Sequence, residues 1–480
     1  MAAENGGFLS CIWLLQALLL LVLLFSGIAA SQTAVTKLPG FDGDLPFSLE
    51  TGYVGVGESN ESQLFYYFVE SQRNPSQDSL MLWLTGGPGC SVLSAFLFES
   101  GPLAFTYVDY NGSLPSLHYN PYAWTLGLNI LYVDAPVGTG FSYSTTQEGY
   151  YMDDLESASQ IYQFLKKWLI QHPQYLENIL YIGGDSYSGI PIPIIVQEIF
   201  NEYIHIIYSN NPHSSYQGYV LGNPKTDSFI DENSRIPFAH RLTLISDELY
   251  ESTKESCNGN FVNVDESNVQ CVSDIQAIDE LLLQINLKQV LEPSCQSESP
   301  RSSKEQLKRR YLQENSEESD LLSQTNPAYW CRVYDYVLLG VWANDKSVRE
   351  ALNIRNVWNN WCLEKVLLTL AYTKTVPSSV EYHRNLSHTN LRALVYSGDH
   401  DMSITHIGTQ NWIRYLNLTI SDVWRAWYVD GQVAGYTEKF SNGDFTLIYA
   451  TVKGAGHVAP EYKIKECSAM LDRWLADYPL

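Results

Sequence analysis

Three stretches of the chain carry residue types that together could make or break an acyl bond. Gly184-Asp185-Ser186-Tyr187-Ser188-Gly189 follows the apolar run Ile179 to Ile182 and precedes a second apolar, helical segment. A nucleophilic serine in a sharp strand-to-helix turn needs small residues two before and two after it, so that its hydroxyl can project. Gly184 and Ser188 meet that need, with Ser in a place where Gly is commoner. Alone, the string also describes an ordinary Gly/Ser turn. Ser397-Gly398-Asp399-His400-Asp401 and Gly454-Ala455-Gly456-His457, each after a β-rich run, raise its meaning. His457 could take the proton of Ser186 and return it to a leaving group, while Asp401 orients the imidazole and stabilises its charged form. Asp399 is the rival for the acid role.

Attack on an ester or amide also needs donors for the oxyanion. The backbone N–H of Tyr187 supplies one, and the loop Gly86-Gly87-Pro88-Gly89 offers another, because glycine permits close backbone approach. The order Ser186, Asp401, His457 is that of the α/β-hydrolase arrangement. Elements that could position these residues follow the same logic. Ser79 to Leu84, Asn129 to Val133, Ile179 to Ile182, Tyr219 to Leu221, Ala393 to Tyr396 and Phe445 to Val452 read as strands running into Gly- or Asp-containing turns. Helical patterns such as Leu155 to Ile170 lie between several of them. Alternating strands and helices predict an α/β fold around a largely parallel sheet, with chemistry beyond the carboxyl ends of the strands.

Ser228 to Asn326 breaks this rhythm, is helical in pattern, and is read as a cap. The organisation expected is a core over residues 31–227, a helical cap insertion over 228–334 and a second core part over 335–480. Within the cap, Glu298 to Asp320 has little apolar character and holds Arg309-Arg310, and is read as an exposed linker open to proteolytic excision. At the N-terminus, the Leu-rich run from Cys11 to Ala30 ends in small residues and reads as a secretory signal over residues 1–30. Because Glu4 stands where a basic residue is usual, an uncleaved anchor is the alternative. Secretory entry permits disulfides and glycosylation. Sequons occur at Asn60, Asn111, Asn385 and Asn417, and seven cysteines follow the leader; no Cys/His spacing suggests zinc or another metal site.

The ordered blocks Trp83 to Ser91, Gly184 to Gly189, Tyr396 to Asp401 and Gly454 to His457 resemble the serine carboxypeptidase family over roughly Leu38 to Leu480. The resemblance implies a triad of Ser186, Asp401 and His457 and an oxyanion hole of Gly87 and Tyr187. It also implies disulfides Cys90–Cys362, Cys257–Cys271 and Cys295–Cys331, with Cys467 unpaired, and two disulfide-held chains once the linker is cut. Peptidases of the family hold the substrate's terminal carboxylate with an Asn and two Glu; here those places carry Thr85, Glu99 and Asp185. Loss of an amide donor and withdrawal of one carboxyl by a methylene disfavour a peptide C-terminus.

These changes, with Leu49 to Val54 and Gly222 to Asp227, resemble the plant serine carboxypeptidase-like acyltransferases. That resemblance implies a small-molecule 1-O-β-glucose ester as donor, a metabolite hydroxyl or amine as acceptor, and a role for Thr85, Glu99 and Asp185 around the sugar. No cofactor is implied. A carboxypeptidase with the same triad, and a catalytically silent binding protein of the same fold, are the competing readings.

The net charge of −24 excludes nucleic acid and an anionic membrane surface as partners, and no second run of spanning length follows the leader. Ser228 to Gln296 holds twelve acids against four bases, so a third of that charge lies in the expected cap. Such acidity suits an acidic lumen, the vacuole ahead of the extracellular space, where partial protonation relieves self-repulsion.

Overall fold

A computed structural model describes residues 33–106, 112–208, 216–294, 332–355, 361 and 372–480. The leader (1–30), the linker (298–320), Asn111, Cys295, Cys331 and Cys362 lie outside the described residues. One sheet of twelve strands organises the rest. In chain order they are β1 (Thr33–Ala34), β2 (Leu49–Val56), β3 (Ser62–Val69), β4 (Leu80–Leu84), β5 (Asn129–Val133), β6 (Tyr143–Ser144), β7 (Leu180–Asp185), β8 (Tyr216–Gly222), β9 (Arg392–Gly398), β10 (Thr419–Val429), β11 (Gln432–Asn442) and β12 (Phe445–Val452). The helices that matter are α1 (Asp154–Gln171), α2 (Pro191–Tyr208), α3 (Ser228–Asn233), α4 (Arg235–Arg241), α5 (Asp247–Ser256), α6 (Val269–Leu282), α7 (Val333–Asn344), α8 (Lys346–Ala351), α9 (Val380–Leu386), α10 (His406–Tyr415), α11 (Ala459–Tyr462) and α12 (Ile464–Leu475).

The fold is α/β. Its central strands β5-β4-β7-β8-β9-β12 are all parallel. Both flanks are antiparallel: β1, β2 and β3 beyond β5, and β11 and β10 beyond β12. The expected parallel character thus belongs to the six central strands. All six strands read from the sequence are among them, because runs buried on both faces are continuously apolar. In β10 only Trp427 is buried, so the apolar run Ala426 to Val429 of this edge strand does not mark a two-sided core element.

Alternation along a strand sends side chains to two cores. Leu80, Leu82 and Leu84 of β4 join the layer that holds Ile161, Phe164, Leu165 and Trp168 of α1 and Ile192, Ile195 and Val196 of α2. Met81 and Trp83 join the opposite layer, with Leu339 and Trp342 of α7 and Met470, Leu471 and Trp474 of α12. Helix α1 begins where the Asp153 carboxylate accepts the N–H groups of Leu155 and Glu156, each at 2.9 Å, which satisfies two otherwise orphaned donors. Between β8 and β9, helices α3 to α6 gather a smaller cluster of their own, in which Ile236, Phe238, Ile245 and Ile278 pack with Met402 and Ile407. The Cys257–Cys271 disulfide joins the end of α5 to α6, the pairing that the resemblance implied. Among the described residues no helix is long and apolar enough to cross a membrane.

The buried ionisable groups give the fold a defined pH dependence. Burial raises Asp134 to about 6 and Asp231 to about 7, so the folded chain holds protons that the unfolded chain has released. Their stabilisation is full below the ordinary carboxylate range and is lost as pH rises through 6 to 7. Burial depresses His383 to about 3 and His406 to about 4, and their contribution is lost as pH falls below the ordinary imidazole value. Between about pH 4 and 7 the two sets oppose each other, so together they leave the melting temperature nearly level there and make it fall below about pH 4. A melting temperature that rises or falls steeply between about pH 4 and 7 in a calorimetric series would refute this.

Candidate active site

Strand β7 ends at Asp185, and Ser186 follows with φ of 57°, a left-handed conformation that a serine adopts only under constraint. Two glycines make the constraint possible. A Cβ on Gly184 would lie 2.5 Å from the Leu84 carbonyl oxygen and 2.9 Å from the Ser188 Cβ. A Cβ on Gly86 would lie 2.5 Å from the Tyr187 nitrogen and 2.8 Å from Ser186 Oγ. The glycine loop after β4 therefore runs directly over the serine hydroxyl and beside the Tyr187 N–H, where an oxyanion would develop.

Ser186 Oγ and His457 Nε2 are 2.8 Å apart, and His457 Nδ1 is 2.8 Å from Asp401 Oδ2. Asp401 is fully buried, and its charge is met by four donors: His457, the Asn223 side-chain amide at 2.8 Å, and the Ser403 and Ile404 N–H groups at 2.7 and 3.2 Å. Asp399 does not reach the imidazole. It accepts the Gly454 N–H at 2.7 Å and pairs with His400 at 2.6 Å, which shapes the turn that leads to His457. The His457 N–H donates to the Lys288 carbonyl at 2.7 Å, so the segment after α6 helps to fix the histidine loop. Burial alone would depress the His457 pKa, but the charge and hydrogen bond of Asp401 outweigh it and hold the imidazole above its ordinary value.

Thr85, Glu99 and Asp185 stand close by. Glu99 and Asp185 are each 2% exposed, and burial first, then mutual repulsion, pushes Glu99 well above the carboxylate range. Burial also raises Asp185, although the nearby His457 opposes the shift. The Thr85 hydroxyl favours the charged form of Asp185 by proximity without closing a hydrogen bond. Thr85 Oγ1, Glu99 Oε2 and Asp185 Oδ1 are buried and have no hydrogen-bond partner among the described residues.

Several neighbours were not singled out by motif. Glu461, on α11 four residues past His457, is a half-buried carboxyl that raises both Glu99 and Asp185. Its Oε1 accepts from the Tyr336 hydroxyl. Arg332 donates to the Glu461 carbonyl at 3.2 Å, forms an ion pair with Glu292 at 2.8 Å and lies over the Tyr462 ring. These groups and His457 line a cavity of about 230 Å³. Asp154 anchors Tyr187 from below, accepting its hydroxyl at 2.8 Å together with that of Tyr372 at 2.9 Å. Asn223 belongs to a stretch quoted for resemblance, but its grip on Asp401 could be suspected only from an Asn at a strand end.

Of the sequons, Asn60, Asn385 and Asn417 are exposed, and the Asn60 side chain accepts from Lys167 at 2.6 Å. Cys467 is buried and outside any disulfide. The expected partners of Cys90 and the Cys295–Cys331 pair fall on residues outside those described.

The family model for serine carboxypeptidases matches residues 39–477. Serine carboxypeptidase-like 2 of Arabidopsis thaliana is 44% identical, over 99% of this chain and all of its own. Serine carboxypeptidase-like 17 of the same plant is 45% identical, over 98% of each chain. Among solved structures, the prohormone-processing carboxypeptidase Kex1 of Saccharomyces cerevisiae superposes with a TM-score of 0.70 at 19% identity, covering 92% of this chain and 95% of its own.

Two outcomes follow from the geometry. Asn223→Gly should lower kcat about ten- to a hundredfold with little change in KM, the worth of a hydrogen bond to a charged group. Asn223→Ala should also lose stability, because Asn223 sits at φ of 41°. Equal kcat in wild type and Asn223→Gly would deny Asn223 any part in holding Asp401. The acid limb of the kcat/KM profile should have its midpoint above the ordinary imidazole value of about 6.5.

Proposed function

The chain belongs to the serine carboxypeptidase family, and we propose that within it the protein acts as an acyltransferase that takes its acyl group from a 1-O-β-glucose ester. The observation that carries this reading is the buried cluster of Thr85, Glu99 and Asp185 beside the triad. Peptidases of the family hold a substrate carboxylate with an amide and two glutamates at the corresponding places. Here the amide is absent, one acid is shorter, and Glu99 and Asp185 are both raised by burial beside each other. The lost amide removes a donor that a carboxylate would need, whereas sugar hydroxyls could donate to Glu99 Oε2 and Asp185 Oδ1, which have no partner among the described residues.

In the proposed reaction, Ser186 Oγ attacks the ester carbonyl as its proton passes to His457 Nε2. The carbonyl oxygen becomes an oxyanion facing the Gly87 and Tyr187 N–H groups, and Asp401 stabilises the imidazolium. Collapse breaks the bond from the acyl carbon to the anomeric oxygen, and His457 returns the proton to the departing glucose. An acceptor hydroxyl or amine then gives its proton to His457 and attacks the acyl-serine; the bond from the acyl carbon to Oγ breaks, and His457 returns the proton to Ser186 Oγ. Every step uses groups already within reach of one another, with Ser186, His457 and Asp401 linked at 2.8 Å each.

Helices α3 to α6 are proposed to act as the cap, with removal of the linker leaving two disulfide-held chains. The protein is placed in the secretory pathway. Its acidity favours the vacuole, while the raised imidazole requires a lumen that is not strongly acidic.

A carboxypeptidase is the second reading, favoured by the intact triad and by retention of Glu99. Incubation of the purified protein with a panel of 1-O-acyl-β-glucose esters plus candidate acceptors, and separately with blocked dipeptides, distinguishes them. Acyl transfer with little peptide cleavage is expected; peptide cleavage without transfer would overturn the acyltransferase reading. Ser186→Ala should abolish either activity, by on the order of 10⁶ in kcat.

A further inference from the structure

We propose that Asp154 is a positioning residue for the oxyanion hole: it holds the Tyr187 side chain and so fixes the direction of the Tyr187 N–H. The inference rests on the acyl-enzyme reading above and adds to the reaction a group outside the triad. Asp154 is the first residue of α1 and is fully buried, and capping of that helix falls instead to the Asp153 side chain. The Asp154 carboxylate serves four donors. One oxygen accepts the Tyr187 hydroxyl at 2.8 Å and the Tyr372 hydroxyl at 2.9 Å; the other accepts the Thr375 and Val376 N–H groups at 2.7 and 2.8 Å.

These bonds enclose Tyr187. Tyr372 and Thr373 pair in parallel with Met152 and Asp153, which lays the segment that carries Thr375 and Val376 beside the start of α1. The Tyr372 ring meets the Tyr187 ring edge-on at 6.4 Å, and Lys374 Nζ lies 5.3 Å over its face. The Tyr187 carbonyl accepts the Ile190 N–H at 3.0 Å, which ties the main chain to the turn that opens α2. Burial first, then the bond to Asp154, raises the Tyr187 hydroxyl far above its ordinary range, so it keeps its proton and donates. With ring, hydroxyl and carbonyl all held, little freedom is left to the N–H, as a preorganised donor requires.

The other donor of the hole has a separate anchorage. The Cys90 N–H closes the glycine loop on the Gly86 carbonyl at 3.0 Å, and just beyond it the Ser91 hydroxyl and the Val92 N–H bond to the buried Asp134 at 2.7 and 3.0 Å. Each half of the hole thus has its own buried aspartate, and loosening Asp154 disturbs Tyr187 while Gly87 stays in place. Removing one oxyanion donor outright costs about a hundred- to a thousandfold in kcat, so a donor that remains but wanders should cost about three- to tenfold. In Asp154→Asn the amide oxygen can face the two N–H groups and the NH2 the two tyrosine hydroxyls, which accept as well as donate, so that variant keeps the grip.

The test compares the single-turnover rate of glucose release from 1-O-benzoyl-β-glucose with that from its thiono analogue, in which sulfur replaces the carbonyl oxygen, using the purified protein. Sulfur is a weak acceptor, so the hole contributes little to the thiono ester while the other contacts are kept. Tyr187→Phe deletes one hydroxyl and leaves Asp154 bonded to Tyr372, Thr375 and Val376. It should slow the saturated rate on the oxygen ester about three- to tenfold, with the half-saturating concentration within about twofold, and leave the thiono ester within about twofold. The oxygen-to-sulfur ratio therefore falls. Asp154→Ala should lower that ratio at least as far, and Asp154→Asn should restore it to within about twofold of wild type. Equal losses on both esters, or none on either, would overturn the inference, since damage to folding or to substrate binding does not tell oxygen from sulfur. If Asp154→Ala does not fold, Tyr187→Phe decides. Wild type that cleaves blocked dipeptides and leaves the glucose ester untouched would overturn the acyltransferase reading alone, and the same ratio is then read from a blocked dipeptide and its thioamide.

Discussion

The conformation of Ser186 constrains everything around it. At φ of 57° a residue with a side chain is strained by roughly 1–3 kcal/mol, and such a geometry persists only where its surroundings over-determine it. Strand β7 arrives between β4 and β8, so its end is fixed on both sides by parallel ladders. The Ser186 carbonyl accepts from the Lys225 N–H at 2.8 Å, which ties the elbow to the turn after β8. Gly184 lets β4 approach, and Gly86 lets the loop after β4 close over the hydroxyl. The same turn after β8 carries Asn223, which grips Asp401 and, through its Oδ1, accepts the Gly398 N–H at 3.2 Å. Four neighbouring strand ends are thus joined through one strained residue and its partners.

That arrangement explains why the triad was legible in the sequence while its supports were not. Ser186, Asp401 and His457 lie in turns whose small residues are dictated locally, by what a backbone can do immediately after a strand. The central strands were legible for a similar reason, since burial on two faces leaves an unbroken apolar run. Asn223 meets Asp401 across 178 positions and Tyr336 meets Glu461 across 125. Neither pairing has a local pattern, because a buried polar residue is chosen for a partner brought to it by the fold. Thr85, Glu99 and Asp185 became legible only by resemblance. Glu461 carried a faint signal, an acid one helical turn beyond the histidine and just after Pro460, which is too common a sequence to stand alone. The antiparallel flank β10–β11 escaped for a different reason: β10 buries only Trp427, and the buried positions of β11, Ala434, Gly435, Thr437 and Phe440, follow no regular apolar alternation.

The electrostatics of the site divide along the position of His457. On one side lies Asp401, buried and bonded to four donors, which raises the imidazole's affinity for a proton at the moment Ser186 gives one up. On the other side lie Glu99 and Asp185, which burial first and repulsion by neighbouring carboxyls second drive toward the neutral form, and the half-buried Glu461, which desolvation raises against the pull of Arg332. A carboxyl held neutral donates a hydrogen bond, and one held ionised accepts. Buried carboxyls of this kind can therefore meet a ligand's hydroxyls in either sense. This flexibility carries a cost in stability at high pH, where the folded state must bury charge that the unfolded state exposes to water.

The difference between a transferase and a hydrolase cannot reside in the triad, because the acyl-serine is the same in both. It must reside in what occupies the space beside His457 after the leaving group departs. Water is small and abundant, and a second substrate prevails only if the cavity rewards it with contacts that water cannot replace. Tyr336 and Tyr462 bring apolar ring faces into that cavity, and Glu461 and the Arg332–Glu292 pair give it a polar wall. Such a surface is poorly matched to a single water and well matched to a ring bearing hydroxyls, which can stack on a tyrosine face and bond to a carboxylate at once. Partition between transfer and hydrolysis then depends on how completely the acceptor fills the cavity before deacylation begins. Selection therefore acts on α7 and α11, while the strained serine and its buried aspartate supply the same chemistry to whichever acceptor arrives.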